Sequence, residues 1–314
     1  MTPQAKRDNI YRSVEGADAI ARRYRELLDH WPVPHQRQVV PTREGDTFVV
    51  SSGPLDAPPV LAIQGSGANT AMWLPQIAGW APHLRVHAVD VIGEPGLSAP
   101  SRPPMKSERY ARWLDDVMDG LGLTTASVIG MSLGGWFALD YAIRRPARVT
   151  RLVLLTPAGI GRTKYGILLK SLLLRCFGDW GRRRTFMMVA GPAAGQENDN
   201  RAIELAKFTV LIFRNFRPRM QRIPVVTDDQ LRDLRMALLA VVGERDVMLD
   251  SRQTARRLRA AVPHATVVSL PDAGHILPDQ TATVLDFLLG DNASQAVDIV
   301  SAPSGVATSG VALT

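Results

Sequence analysis

A chain of 314 residues with 46% hydrophobic content is long enough to bury a full core, and it suits one large α/β domain with room for an inserted subdomain. The formal net charge of +7 rests on Arg scattered along the chain, with Arg182-Arg183-Arg184 the longest cluster, which argues for a solvated basic surface and against a nucleic-acid partner. Cys176 is the only cysteine, which rules out an intramolecular disulfide and a cysteine-rich metal site; its apolar surroundings predict a buried, inert thiol.

The polar start from Met1 to Asn9 leads into no apolar signal-type core, and no apolar run approaches the roughly 20 residues of a membrane span. The expectation is a cytoplasmic protein without an integral membrane segment. Ile10, Val14, Ala17, Ala21, Tyr24 and Leu28 recur at helical spacing, so residues 1–35 read as an N-terminal helix docked on the main body and ended by Trp31-Pro32-Val33-Pro34. From Gln36 the period becomes strand-like. Gln38-Val39-Val40 and Thr47-Phe48-Val49-Val50 flank a turn at Glu44-Gly45-Asp46. Apolar strands follow at Val60–Ile63 and Arg85–Val89, then a helix over Tyr110–Gly120, a strand at Val128-Ile129, and a helix that stops at Arg145-Pro146.

Val149–Leu155 is a further buried strand, which closes a first core segment over 36–157. Alternation then breaks down. Ile167–Phe177 and Ile203–Phe216 read as helices, and residues 158–226 form a helical cap over the carboxyl edge of the sheet. It resumes over 227–290, with a strand at Ala237–Val242, a helix at Ser251–Ala261, a strand at Thr266–Val268 and a helix at Thr281–Leu289. Residues 291–314 lack either period and read as a disordered tail. Apolar strands alternating with helices predict an α/β fold with a mostly parallel central sheet covered by helices on both faces.

One stretch carries the chemistry. In Gly130-Met131-Ser132-Leu133-Gly134, a β-branched strand runs into Gly-x-Ser-x-Gly and an apolar helix follows, so Ser132 sits on a sharp strand-to-helix turn with its hydroxyl exposed. A serine needs a base, and that base needs a group to orient it. His275, in the loop after a strand, and Asp246, directly after another, supply them in the chain order Ser132, Asp246, His275. Glu244, Asp250 and Asp272 compete with Asp246, and Asp250 shares its loop. Asp90 also ends a strand, but it precedes Ser132 and is expected to hold its own loop through backbone amides; His87, inside a strand, is expected to be a satisfied core residue. Oxyanion donors are expected from the amides of Ser66, in Gly65-Ser66-Gly67, and Leu133. Gly65, Trp73 and Met131 are candidates for the substrate pocket, with a packed core Trp the alternative for Trp73. No metal-ligand spacing or dinucleotide fingerprint is present, and Thr70 stands where a third glycine would be required, so no cofactor and no metal are expected.

These residues resemble the α/β-hydrolase superfamily from about Val39 to Leu289, through Gln64-Gly65-Ser66-Gly67, Asp90 to Ser98, Gly130 to Gly135, Gly243-Glu244-Arg245-Asp246 and Gly274-His275. Capped bacterial carboxylesterase-like members are the most similar. The resemblance implies the α/β-hydrolase fold, Ser132 as nucleophile, Asp246 as acid, His275 as base, and a small-molecule ester or acyl compound as substrate, cleaved through an acyl-enzyme. Gln64 stands where the family usually has His. C–C bond hydrolysis, acyl transfer and a non-catalytic receptor built on the same fold are the alternatives, with surface binding to membranes through the basic cap a further one. Oligomeric state is not specified by the sequence.

Overall fold

β-Branched and Leu-rich runs form the strands of one eight-stranded sheet: β1 (His35–Val40), β2 (Thr47–Ser52), β3 (Pro59–Ile63), β4 (Arg85–Val89), β5 (Ala126–Met131), β6 (Val149–Leu155), β7 (Ala237–Gly243) and β8 (Thr266–Leu270). The computed structural model describes residues 10–164, 166–167, 173–190 and 200–290. Across the sheet the order is β1-β2-β4-β3-β5-β6-β7-β8. β2 pairs antiparallel with both β1 and β4, and all remaining neighbours are parallel.

Among the described residues the helices with both ends defined are α1 (Val14–Asp29), α2 (Leu74–Trp80), α3 (Arg109–Gly120), α4 (Leu133–Arg144), α5 (Gly178–Ala190), α6 (Asn200–Asn215), α7 (Asp228–Arg232), α8 (Ser251–Ala261) and α9 (Thr281–Leu289). Successive strand residues face opposite sides of the sheet. On one side Leu61, Ile63, Val128, Leu152 and Leu154 share a core with Trp113 of α3, Phe137 of α4 and Leu258 of α8. On the other, Val60, Ala62, Ile129, Val153 and Leu155 share one with Tyr24 of α1, Ile77 of α2 and Val284 of α9. Burial on both faces is why the central strands read as unbroken apolar runs.

Ser13 caps α1, its hydroxyl accepting from the amide of Gly16 at 3.0 Å. The helix packs its apolar face into the second core, and it also contacts the segment between β6 and β7: the Tyr24 ring stacks on Phe208 of α6 at 6.3 Å between centroids. Among the described residues no helix is long and apolar enough to cross a membrane.

The sequence reading departs from the structure mainly between β6 and β7. A helix over Ile167–Phe177 was expected; its described residues 167 and 173–174 are helical, and it ends in a 3-10 turn, Arg175–Phe177, after which Gly178 takes a φ of +58° and α5 begins. Residues 168–172 lie outside the described residues, as does the expected tail 291–314. Cys176, expected to be buried, is exposed. Leu173 and Phe177 beside it are 62% and 64% exposed, so this apolar stretch lies on the outer surface of the insertion, away from either core.

Candidate active site

The chain runs from β3 outward to β4 and later returns to lay β5 along the opposite edge of β3. Loops leaving the carboxyl ends of β3 and β5 therefore diverge and open a crevice, the place where α/β sheets bind ligands. Gly65 follows β3 and Ser132 follows β5. A Cβ on Gly65 would lie 3.4 Å from the Ser132 Cβ, an ordinary van der Waals contact, so the two loops run side by side here.

Ser132 takes φ 53°, ψ −114°, a strained conformation for a residue with a side chain. Glycine on either side makes the turn sterically feasible. A Cβ on Gly134 would sit 2.2 Å from the carbonyl oxygen of Ile63, and one on Gly130 2.4 Å from that of Gly134. The turn is anchored below by the amide of Ser132, which donates to the Leu155 carbonyl at 2.9 Å, and by the amide of Ala158, which donates to the Ser132 carbonyl at 3.0 Å. Leu133 opens α4, whose first amides have no intrahelical acceptor.

His275 Nε2 lies 2.9 Å from Ser132 Oγ, and His275 Nδ1 lies 2.7 Å from Asp246 Oδ2. Asp246 is 2% exposed. Its other oxygen accepts from the amides of Met248 and Leu249 at 2.7 and 3.0 Å, which locks the carboxylate and leaves Oδ2 for the imidazole. The backbone of His275 is held at both ends. Its amide donates to the carbonyl of Val189 in α5 at 3.1 Å, and its carbonyl accepts from the Thr156 hydroxyl at 3.1 Å. Thr156 itself has a φ of +40°. Sequence reasoning missed Thr156 and Val189. A threonine after a strand carries no distinguishing mark, and a backbone carbonyl leaves none in the sequence.

The competing acids have other tasks. Asp250 caps α8, accepting from the amide of Gln253 at 3.0 Å; Asp272 pairs with Arg245 at 2.6 Å on the surface; Glu244 faces Arg252 at 3.8 Å. Asp90 accepts from the amides of Thr70 and Leu97 at 2.9 and 2.8 Å and from the Tyr24 hydroxyl at 2.9 Å, and so holds its loop as the sequence suggested. His87 is buried in the core, yet only partly satisfied: Nδ1 meets Ser51 Oγ at 2.8 Å, and among the described residues Nε2 has no partner. Burial and the nearby Arg85 charge depress it to about 4.

Gln64 is 1% exposed, and its side-chain amide bridges β3 to the end of β4. In the amide orientation that satisfies both groups, its nitrogen donates to the Val89 carbonyl and its oxygen accepts from the Val91 amide at 2.7 Å. The loop beyond it is therefore supported without the family's histidine. Ser66 is exposed, and among the described residues neither its amide nor that of Leu133 meets an acceptor. Met131, at the end of β5, is partly buried beside Ser132. Trp73 is 2% exposed and packs on Trp80 at 5.6 Å between centroids, which is the packed-core alternative.

The profile of the alpha/beta hydrolase family matches residues 60–287, a span that contains every residue of this constellation. The chain belongs to the α/β-hydrolase family. Over 276 residues this α/β-hydrolase is 32% identical to the uncharacterized carboxylesterase nap of Bacillus subtilis (strain 168), covering 84% of this chain and 88% of the relative. It is 30% identical over 291 residues to carboxylesterase YbfK of the same organism, covering 89% of this chain and 97% of YbfK. The crystal structure of carboxylesterase CesB (YbfK) from Bacillus subtilis superposes with a TM-score of 0.75 at 28% identity, covering 88% of this chain and 99% of the other. With relatives of this kind along nearly their whole length, this α/β-hydrolase is an enzyme of the hydrolase class.

Proposed function

We propose that this enzyme hydrolyses small carboxylic esters through an acyl-enzyme on Ser132. The observation that carries the reading is the continuous relay Ser132–His275–Asp246, with separations of 2.9 and 2.7 Å. His275 Nε2 takes the Ser132 proton as Oγ attacks the ester carbonyl, and Asp246 stabilises the imidazolium that forms. The oxyanion of the tetrahedral intermediate is held by the amides of Ser66 and Leu133, each such donor being worth about 10²–10³ in rate. The imidazolium then protonates the departing alcohol. Water, deprotonated by His275, attacks the acyl-enzyme, and the carboxylic acid leaves as Ser132 recovers its proton.

The helices between β6 and β7 act as a cap that selects the ester. The Phe213 ring of α6 lies within 3.9 Å of where a Cβ on Gly67 would be, which sets α6 over the oxyanion loop. The carboxylesterase relatives support an ester as substrate. Replacing Ser132 with Ala is expected to lower turnover of a short p-nitrophenyl ester by about 10⁴-fold or more while the melting temperature holds. A Ser132→Ala protein with wild-type turnover would end this reading.

A further inference from the structure

Glu94 and Arg219 form an ion pair at 3.3 Å with side chains only 1% and 3% exposed, outside the relay. Glu94 lies in the loop after β4, and Arg219 lies just beyond α6, where the chain returns from the cap. Burying two charges to pair them brings little net stability, because the lost hydration offsets the attraction. The geometry indicates a different benefit.

Glu94 Oε2 accepts from the amide of Gly67 at 2.8 Å and faces the Ser66 hydroxyl at 3.4 Å. Gly67 is in the left-handed region with φ +68°. Gln64 already fixes the start of this loop to β4. Glu94 fixes its far side, so the one span between the two supports is Gly65-Ser66, in which Gly65 lies against Ser132. Arg219 in turn holds Glu94: its Nε donates to Oε1, and its Nη groups reach the Ile92 carbonyl at 3.2 Å and the Tyr110 hydroxyl, with the guanidinium 5.5 Å from the centre of the Tyr110 ring.

We propose that Glu94 is a positioning residue for the oxyanion hole, aiming the Ser66 amide at the reacting oxygen, and that Arg219 ties this support to the chain returning from the cap. The proposal rests on the acyl-enzyme reading above. Burial dominates and raises the Glu94 carboxyl above its ordinary range, while Arg219, the Gly67 amide and Arg102 oppose that rise.

Two neutral pairs of substitutions isolate the acceptor. Glu94→Ala/Arg219→Met removes it, and Glu94→Gln/Arg219→Met keeps one carbonyl oxygen for Gly67; both remove the two charges of the pair together, and the nearby Arg102 loses the same carboxylate in each. With p-nitrophenyl acetate the Ala pair is expected to lose about 10–100-fold in kcat with KM within about threefold, and the Gln pair to stay within about threefold of wild type. Affinity for an aryl trifluoromethyl ketone, which adds to Ser132 and places an oxyanion in the same hole, should fall in step with kcat/KM in the Ala pair. Equal kcat in the two pairs, a loss carried by KM, or unchanged ketone affinity would overturn the proposal.

If the Ala pair does not fold, Glu94→Gln alone decides. Its single oxygen must serve both Gly67 and Arg219, so it should be slower than Glu94→Gln/Arg219→Met, and a lack of recovery on adding Arg219→Met would refute the idea. A wild-type enzyme unaffected by the ketone, together with an active Ser132→Ala, would instead indict the acyl-enzyme reading itself.

Discussion

Asp90 and Asp246 are built alike and placed differently. Each lies past the carboxyl end of a strand, Asp90 immediately after β4 and Asp246 three residues after β7; each is buried, and each accepts two backbone amides that fasten its loop. The difference lies in how the oxygens are shared. Asp246 takes both amides on Oδ1, leaving Oδ2 for His275 at 2.7 Å. Asp90 spreads its amides over both oxygens and spends its remaining capacity on the Tyr24 hydroxyl of α1. A buried carboxylate that closes a loop is thus a structural device, and it becomes a catalytic one only when an oxygen is left facing an imidazole.

Exchanging the two acids' oxygens for amides should separate these tasks. Asp246→Asn is expected to lower kcat by about 10⁴-fold, because the side chain can then present an N–H to His275 and fix the wrong tautomer. Asp90→Asn should change kcat by less than about tenfold but cost about 2–3 kcal/mol in unfolding free energy, as one of three buried donors loses its acceptor. Denaturant titration beside ester kinetics checks both, and a large kcat loss at Asp90 would collapse the distinction.

A pH series sharpens it further. Burial pushes Asp90 up to about 6, against the amides and phenol that pull it down. An acid with a native pKa above its unfolded value of about 4 binds more protons in the folded state, so its contribution to stability declines as pH rises from about 4 to 6. His87 works in the opposite sense: depressed to about 4, it favours the folded state fully above its unfolded value near 6.5 and less as pH falls. The wild-type profile therefore mixes two slopes. The melting-temperature difference between wild type and Asp90→Asn isolates the first and should shrink from pH 4 to 6; a constant difference would contradict the assignment. Smallest is Asp250→Ala, which removes the cap of α8 and should cost about 1 kcal/mol with no effect on kcat.

The sheet was legible because its central strands are buried on both faces and read as continuous apolar runs. The relay was legible because glycines at 130 and 134 are a steric necessity around Ser132, and because Asp246 and His275 each follow a strand in the expected order. The fine supports were not. Glu94 meets an arginine that the sequence places 125 residues away, and Thr156 and Val189 act through one hydroxyl and one carbonyl, groups that any sequence offers in abundance. The short helix α2 spans too few residues to display a period, and α5 carries Arg182-Arg183-Arg184 in place of an apolar stripe. The exposure of Cys176 has the same origin: an apolar stretch signals burial only when an opposing face exists to cover it.

Covalent trapping on Ser132 tests the central claim most directly. Treatment with a fluorophosphonate, followed by peptide mapping in a mass spectrometer, should place a single adduct on the peptide containing Ser132 and none in Ser132→Ala, with labelling greatly slowed in Asp246→Asn. Turnover of the ester with no adduct at Ser132, or an adduct on another residue that tracks the loss of activity, would contradict the account.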